Sequence, residues 1–208
     1  MYIPKHFHTD NIQQMHALIR ANNFATLVTQ HDGAPYASHA PFLIDTGRGP
    51  YGTLRAHLSR ANPQWRDLAA GQTALVIFQG PHAYITPSWY AAALSVPTWN
   101  YAVVHAYGKA ELVEDHEALY VMLKALVANH ESGFAHPWPM DLPDDYMNNM
   151  MRGVVGFDIP IERLEGKLKL SQNRPAEDRQ HVAEMLGASA DPNAVGVAEL
   201  MEELAAQP

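Results

Sequence analysis

The 208-residue sequence contains no cysteine, which excludes disulfides, thiolate metal sites and thiol nucleophiles. It also lacks any apolar run approaching the roughly 20 residues that a membrane-spanning helix requires. An excess of positive charge is missing too: 14 Lys and Arg stand against 22 Asp and Glu, for a formal net charge of −8. Such a chain repels the phosphate backbone of nucleic acid unless its basic residues are gathered on one face. The 12 histidines show no HExxH spacing, and His6 and His8 read as an exposed pair near the terminus, so no metal site is expected. Neither GxSxG nor GxxxxGK[ST] occurs, and no stretch reads as a helix-turn-helix with a basic recognition helix. The opening MYIPKHFHTD lacks the basic-then-apolar plan of a secretory signal, and a cytoplasmic protein is expected.

What is present fits a globular protein, with 47% apolar and 17% charged residues. Asp10 is positioned to cap a helix to about Asn22, in which Ile12, Met15 and Ile19 recur at helical spacing. Segments 24–30 and 35–45 are rich in β-branched and aromatic residues, and Asp32-Gly33 predicts a tight hairpin between them. A strand over 51–58 runs into a helix over 61–71 with Asn62 as its cap and Pro63 as its first residue. Strands follow at 73–80 and 83–86, separated by a turn at Gly80-Pro81, and then a loop over 87–97. A long strand over 98–113 is expected to bend at Gly108. Asp115 caps the clearest helix, with its stripe of Leu119, Met122, Leu123, Leu126 and Val127. An irregular stretch over 134–143, a short helix over 144–151 and two strands over 153–171, turning at Glu165-Gly166, come next. Asn173 and Pro175 open a helix that buries Val182, Met185 and Leu186, and a last helix covers about 192–206. About seven strands interrupted by short helices predict a mainly β, α+β barrel over 1–186, with a helical tail over 187–208.

Two segments concentrate chemistry. In GTLRAHLSRANPQW (52–65) a basic strand meets a helix start, where unpaired N–H groups make a ready anion site. Alternation puts Arg55 and His57 on one face, while Ser59, Arg60 and Asn62 add donors at the helix start. The same residues also suit an ordinary cap with solvated arginines. LKLSQNRP (168–175) repeats the pattern with Lys169, Ser171, Gln172 and Arg174, and again a plain cap with lysines in solvent is the alternative. Between them, 79–90 and 97–108 gather Trp89, Tyr90, Trp99, Tyr101 and Tyr107 near His82, His105 and Asn100. That mixture suits a flat conjugated ligand, and equally a core or a subunit interface.

These motifs together resemble one family. GTLRAHLSRANPQW, VIFQGPHAYITPSWY, VPTWNYAVVHAYG, VVGFDIPIERLEGKLKLSQNRP and the opening MYIPKHF are similar, in order, to PaiB-type FMN-binding negative transcriptional regulators from Met1 to about Leu186. The resemblance implies a split β-barrel like that of pyridoxamine-phosphate oxidase, a homodimer, and FMN at the subunit interface. It implies that the flavin phosphate is held by Arg55, His57, Ser59, Arg60 and Asn62. Lys169, Ser171, Gln172 and Arg174 would complete the pocket. It also implies a regulatory role with a DNA or protein partner, for which the charge offers little support. The alternative is an FMN-dependent oxidoreductase of the pyridoxamine-phosphate-oxidase-like or haem-degrading type, with His82, His105 and Tyr101 as the first acid-base candidates.

Overall fold

Local chemistry builds most elements of the computed structural model, which describes residues 1–92 and 94–206. Ala93 of the expected 87–97 loop and positions 207 and 208 of the expected tail lie outside the described residues. The chain begins with β1 (His8–Thr9), α1 (Ile12–Ala21), β2 (Phe24–His31), β3 (Ala34–Pro41) and β4 (Leu43–Asp45). It continues through β5 (Thr53–Ser59), α2 (Gln64–Ala69), β6 (Thr73–Ile85), β7 (Thr98–Lys109) and β8 (Glu111–Val113). Then come α3 (His116–Glu131), α4 (Asp144–Met151), β9 (Val154–Pro160), β10 (Arg163–Lys169), α5 (Ala176–Gly187) and α6 (Pro192–Ala205). The fold is therefore mainly β with helices, the α+β class, and every pairing with a defined register is antiparallel. Among the described residues no helix is long and apolar enough to cross a membrane.

The chain divides into two units. The first comprises Met1–Leu18, Gln79–Val104 and Glu165–Pro208; the second comprises Ile19–Phe78 and His105–Leu164.

In the second unit, positive φ at Asp32 (49°) and Gly33 (79°) gives the two-residue turn that closes β2 on β3. Pairing runs from His31↔Ala34 to Phe24↔Pro41. A four-stranded sheet has the order β4-β5-β9-β8. Its register sets Arg55 opposite Asp158, His57 opposite Gly156 and Leu112 opposite Phe157. Directly opposed residues share a face, so Arg55 and His57 lie on the face away from Phe157. The Phe157 side is the core, where Phe42 meets Phe78 and Phe157 edge-on at 5.9 and 6.2 Å. Helix α3 is capped by Asp115, which accepts the Ala118 N–H at 2.7 Å. It covers Gly156, where an added Cβ would lie 2.6 Å from Leu119 Cδ1.

In the first unit β1 pairs with the second half of β10, with His8 opposite Lys167 and Thr9 opposite Gly166. Helices α5 and α6 pack on each other, and Val182, Leu186, Val197 and Met201 are buried. Asp191 caps α6 by accepting the Asn193 N–H.

Several boundaries differ from the sequence reading for identifiable reasons. Asn11, not Asp10, caps α1, its side chain accepting the Gln14 N–H at 3.1 Å. Segment 35–45 is two strands, broken at the buried Phe42. Gly80-Pro81 makes no turn: β6 runs straight through, and its burial alternation slips by one at Pro81-His82, as at a bulge. Gly80 instead allows a close approach, since a Cβ there would lie 3.2 Å from the Ala102 carbonyl oxygen. Gly166 is likewise mid-strand, with Thr9 and Met15 where its Cβ would sit, so the β9–β10 turn falls at Ile161-Glu162. The long strand breaks at Ala110 rather than Gly108, where a Cβ would overlap the Pro160 carbonyl oxygen. Met185 is 40% exposed rather than buried.

Candidate functional site

The Arg55–Trp65 stretch lies wholly in the second unit and is built by β5 and α2. Asp158, 7% exposed, receives Arg55 Nε at 3.0 Å and Arg48 Nη1 at 2.5 Å. Arg55 therefore already has an anionic partner within the protein, one that it shares with Arg48. His57 stands two residues along the same face. Its Nδ1 is buried and has no hydrogen-bond partner among the described residues, and burial holds its pKa below the ordinary 6.5. The ring is neutral at neutral pH, with one nitrogen to donate and one to accept. Ser59 is exposed, and its hydroxyl accepts the Ala61 N–H.

Arg60 donates to the backbone carbonyls of Arg152 at 2.9 Å and Val154 at 3.0 Å. Its own carbonyl accepts the Trp65 indole N–H, and its guanidinium lies 6.0 Å from the Trp65 ring centre. Asn62 bonds Ser38 through its amide and accepts the Gln64 N–H, so it supplies the cap one residue ahead of Pro63. Gln64 in turn donates to the Leu27 and Tyr36 carbonyls, fastening α2 to the β2–β3 hairpin. Helix α2 has six residues, too short for its dipole to dominate the site. Of the five residues, Arg60 lines an open pocket of about 610 Å³ with Trp65, Leu112, Leu119, Met151 and Arg152.

The second segment lies in the first unit. Lys169 donates to Thr98 Oγ1 and to the Trp99 carbonyl, and desolvation together with the neighbouring Lys167 lowers its pKa. Ser171 is 3% exposed and holds φ at +63°, a left-handed conformation rare outside glycine. Its hydroxyl exchanges hydrogen bonds with the amide of Asn100, which is fully buried. Gln172 folds back on its own strand, accepting the Leu170 N–H and donating to the Leu168 carbonyl. The Arg174 guanidinium stacks 4.2 Å from the Tyr90 ring centre. Among the described residues, Lys167, Lys169 and Arg174 make no carboxylate pair.

The residues of this group on β7, Trp99, Tyr101, His105 and Tyr107, share one strand parity and divide along the length of the strand. Trp99 and Tyr101 project from one face of β7 in the first unit, with Asn100 and Ala102 buried on the other. His105 and Tyr107 are ring neighbours in the second unit, 6.2 Å apart, with Arg163 over Tyr107 at 3.5 Å. Among the described residues, no group of three or more His, Asp and Glu is placed to hold a metal ion. Sequence reasoning missed Arg48 and Asp158, and it grouped Asn100 with the aromatic residues rather than with Ser171, because the partners lie far along the chain. It also passed over Gly47-Arg48-Gly49-Pro50-Tyr51-Gly52, which has dinucleotide-loop glycine spacing but opens strand β5 rather than a helix.

Comparison with known proteins adds identity to this geometry. Residues 1–163 match the family model described as "Putative FMN-binding domain". The chain is 40% identical over 204 residues to the "Protease synthase and sporulation protein PAI 2" of Bacillus subtilis, covering 98% of this chain and 97% of that one. Among solved structures it is similar to flavocytochrome Anf3 from Azotobacter vinelandii, with TM-score 0.67, 15% identity, and coverage of 86% of this chain and 78% of that one. It is also similar to an FAD and heme binding protein from Mycobacterium smegmatis, with TM-score 0.62, 18% identity, and coverage of 83% and 78%.

Proposed function

The chain belongs to the PaiB-type FMN-binding family and has its split-barrel fold, and we propose that it is a cytoplasmic regulatory flavoprotein with FMN at a homodimer interface. FMN is its cofactor. In this reading Arg55, His57, Ser59, Arg60 and Asn62 take the flavin phosphate, and Lys169, Ser171, Gln172 and Arg174 complete the pocket.

The observation that carries the reading is the buried, unpartnered Nδ1 of His57 on the face it shares with Arg55. An unmade hydrogen bond at a buried polar atom costs about 1–3 kcal/mol, and a phosphate oxygen is an acceptor that would remove that cost. The second segment supports it with cations that have no carboxylate partner and with a lysine whose pKa is lowered by desolvation, so that a nearby anion would favour its charge. The fit is thus to an anion-bearing ligand.

When bound, FMN supplies redox chemistry, while the chain's own residues bind and orient it. Flavin occupancy or redox state would set a dimer conformation that a regulatory partner reads. The formal charge of −8 favours a protein in that place over bare DNA.

One experiment tests the proposal: FMN titration of purified protein, with mass measured by light scattering and NAD(P)H oxidation followed in air. The expected result is a yellow dimer with one FMN per chain and no sustained turnover. Protein that refuses FMN, or stays monomeric when loaded, would overturn it. Steady NAD(P)H oxidation would instead favour the oxidoreductase reading.

A further inference from the structure

The first unit carries a second, separate pocket of about 450 Å³, lined in part by His82, Tyr84, Trp89, Trp99, Met185 and Asp191. Strands β6 and β7 set its walls. The Tyr84 and Trp99 rings stand at 73° with centres 6.0 Å apart, and the His82 ring lies 6.2 Å from Trp99 on a tilted plane. Tyr84 is 50% and Trp99 52% exposed, so two large rings are held half in water on rigid strands. Trp89 enters from the 3₁₀ turn Pro87–Trp89, which Thr86 caps through the Ser88 N–H.

Asp191 closes the set at the start of α6. One of its carboxylate oxygens takes the Asn193 N–H at 2.9 Å, and the other makes no bond among the described residues. Among the described residues no lysine or arginine lines this pocket, and Asp191 is the one full charge they bring to it. The faces of aromatic rings are electronegative, and rings meeting near right angles beside a carboxylate complement a weakly hydrated cation. The polarisable thioether of Met185 adds to that character. A chain of net charge −8 also draws cations toward it.

We propose that the corner formed by Tyr84 and Trp99, with His82, Trp89 and Asp191 around it, is a binding site for a methylated or quaternary ammonium group. The site uses none of the residues assigned to FMN, and its success or failure is independent of that reading. A neutral flat ligand would stack on Trp99 equally well but would draw nothing from Asp191.

Choline and its neutral carbon isostere 3,3-dimethylbutan-1-ol separate these cases, titrated calorimetrically into the purified protein with and without added FMN. Choline should bind about tenfold or more tightly than the isostere. Trp99→Leu should weaken choline about tenfold. Asp191→Asn, which keeps a competent helix cap while deleting the charge, should weaken it about fivefold. FMN content should stay the same in both variants. Equal binding of choline and the isostere, no choline binding at tens of millimolar, or unchanged affinity in folded Asp191→Asn protein would each overturn the proposal.

Discussion

The two basic segments look alike in sequence and differ in how their charge is settled. Around Arg55 a buried carboxylate, Asp158, holds two guanidinium groups, and Arg60 is tied to backbone carbonyls. Among the described residues two neutral atoms remain without a partner there, Nδ1 of His57 and Oε1 of Gln64. Around Lys169 no carboxylate intervenes among the described residues: the cations rest on carbonyls, a hydroxyl and aromatic faces, with Lys169 6.0 Å from the Phe7 ring centre and Lys167 5.1 Å from that of Tyr101. One segment holds unmet buried hydrogen-bonding atoms beside a carboxylate that two arginines share, and the other holds cations with no carboxylate partner among the described residues. Basic residues near a helix start therefore locate an anion site only after the acids that meet them in space are known.

Removing Asp158 should break this contrast most severely. Asp158→Ala leaves Arg48 and Arg55 without their anion, and since Arg48 is 45% exposed solvent recovers part of the loss. A cost of about 2–3 kcal/mol in urea unfolding is expected. Asn100→Ala strips the support from Ser171 in its left-handed conformation and orphans a buried hydroxyl, for about 1–2 kcal/mol. Lys169→Met should cost under about 1 kcal/mol, because desolvation already opposes the charged form, yet it should weaken FMN about tenfold.

The smallest effect is one of pH. The hydrogen bond to Asp67 raises the pKa of His31, whereas burial lowers that of His57. The stability from His31 is fully present below the ordinary 6.5 and is lost as pH rises through its folded value. That from His57 has the opposite sign, present above 6.5 and lost as pH falls. Urea midpoints of His31→Gln should thus fall below wild type in acid and converge with it in alkali.

Features that depend on a few neighbouring residues were legible in the sequence. The Asp32-Gly33 hairpin, the Asp115 cap and helix 144–151 all rest on local backbone chemistry, and the structure has them. Gly80-Pro81 and Glu165-Gly166 were misplaced as turns because glycine serves close approach as readily as it serves turning, and only the facing residue, Ala102 or Thr9, decides which. The candidate site was legible as a pair of segments and not as a set of partners. Asp158 meets Arg55 across 103 positions and Ser171 meets Asn100 across 71, separations that no spacing rule reaches.

FMN titration of His57→Ala, with urea unfolding measured alongside, tests the central claim most directly. Because Nδ1 of His57 has no partner among the described residues, its loss should leave stability within about 1 kcal/mol of wild type while weakening FMN about tenfold or more. Unchanged FMN affinity in folded His57→Ala protein would contradict the placement of the phosphate at this segment.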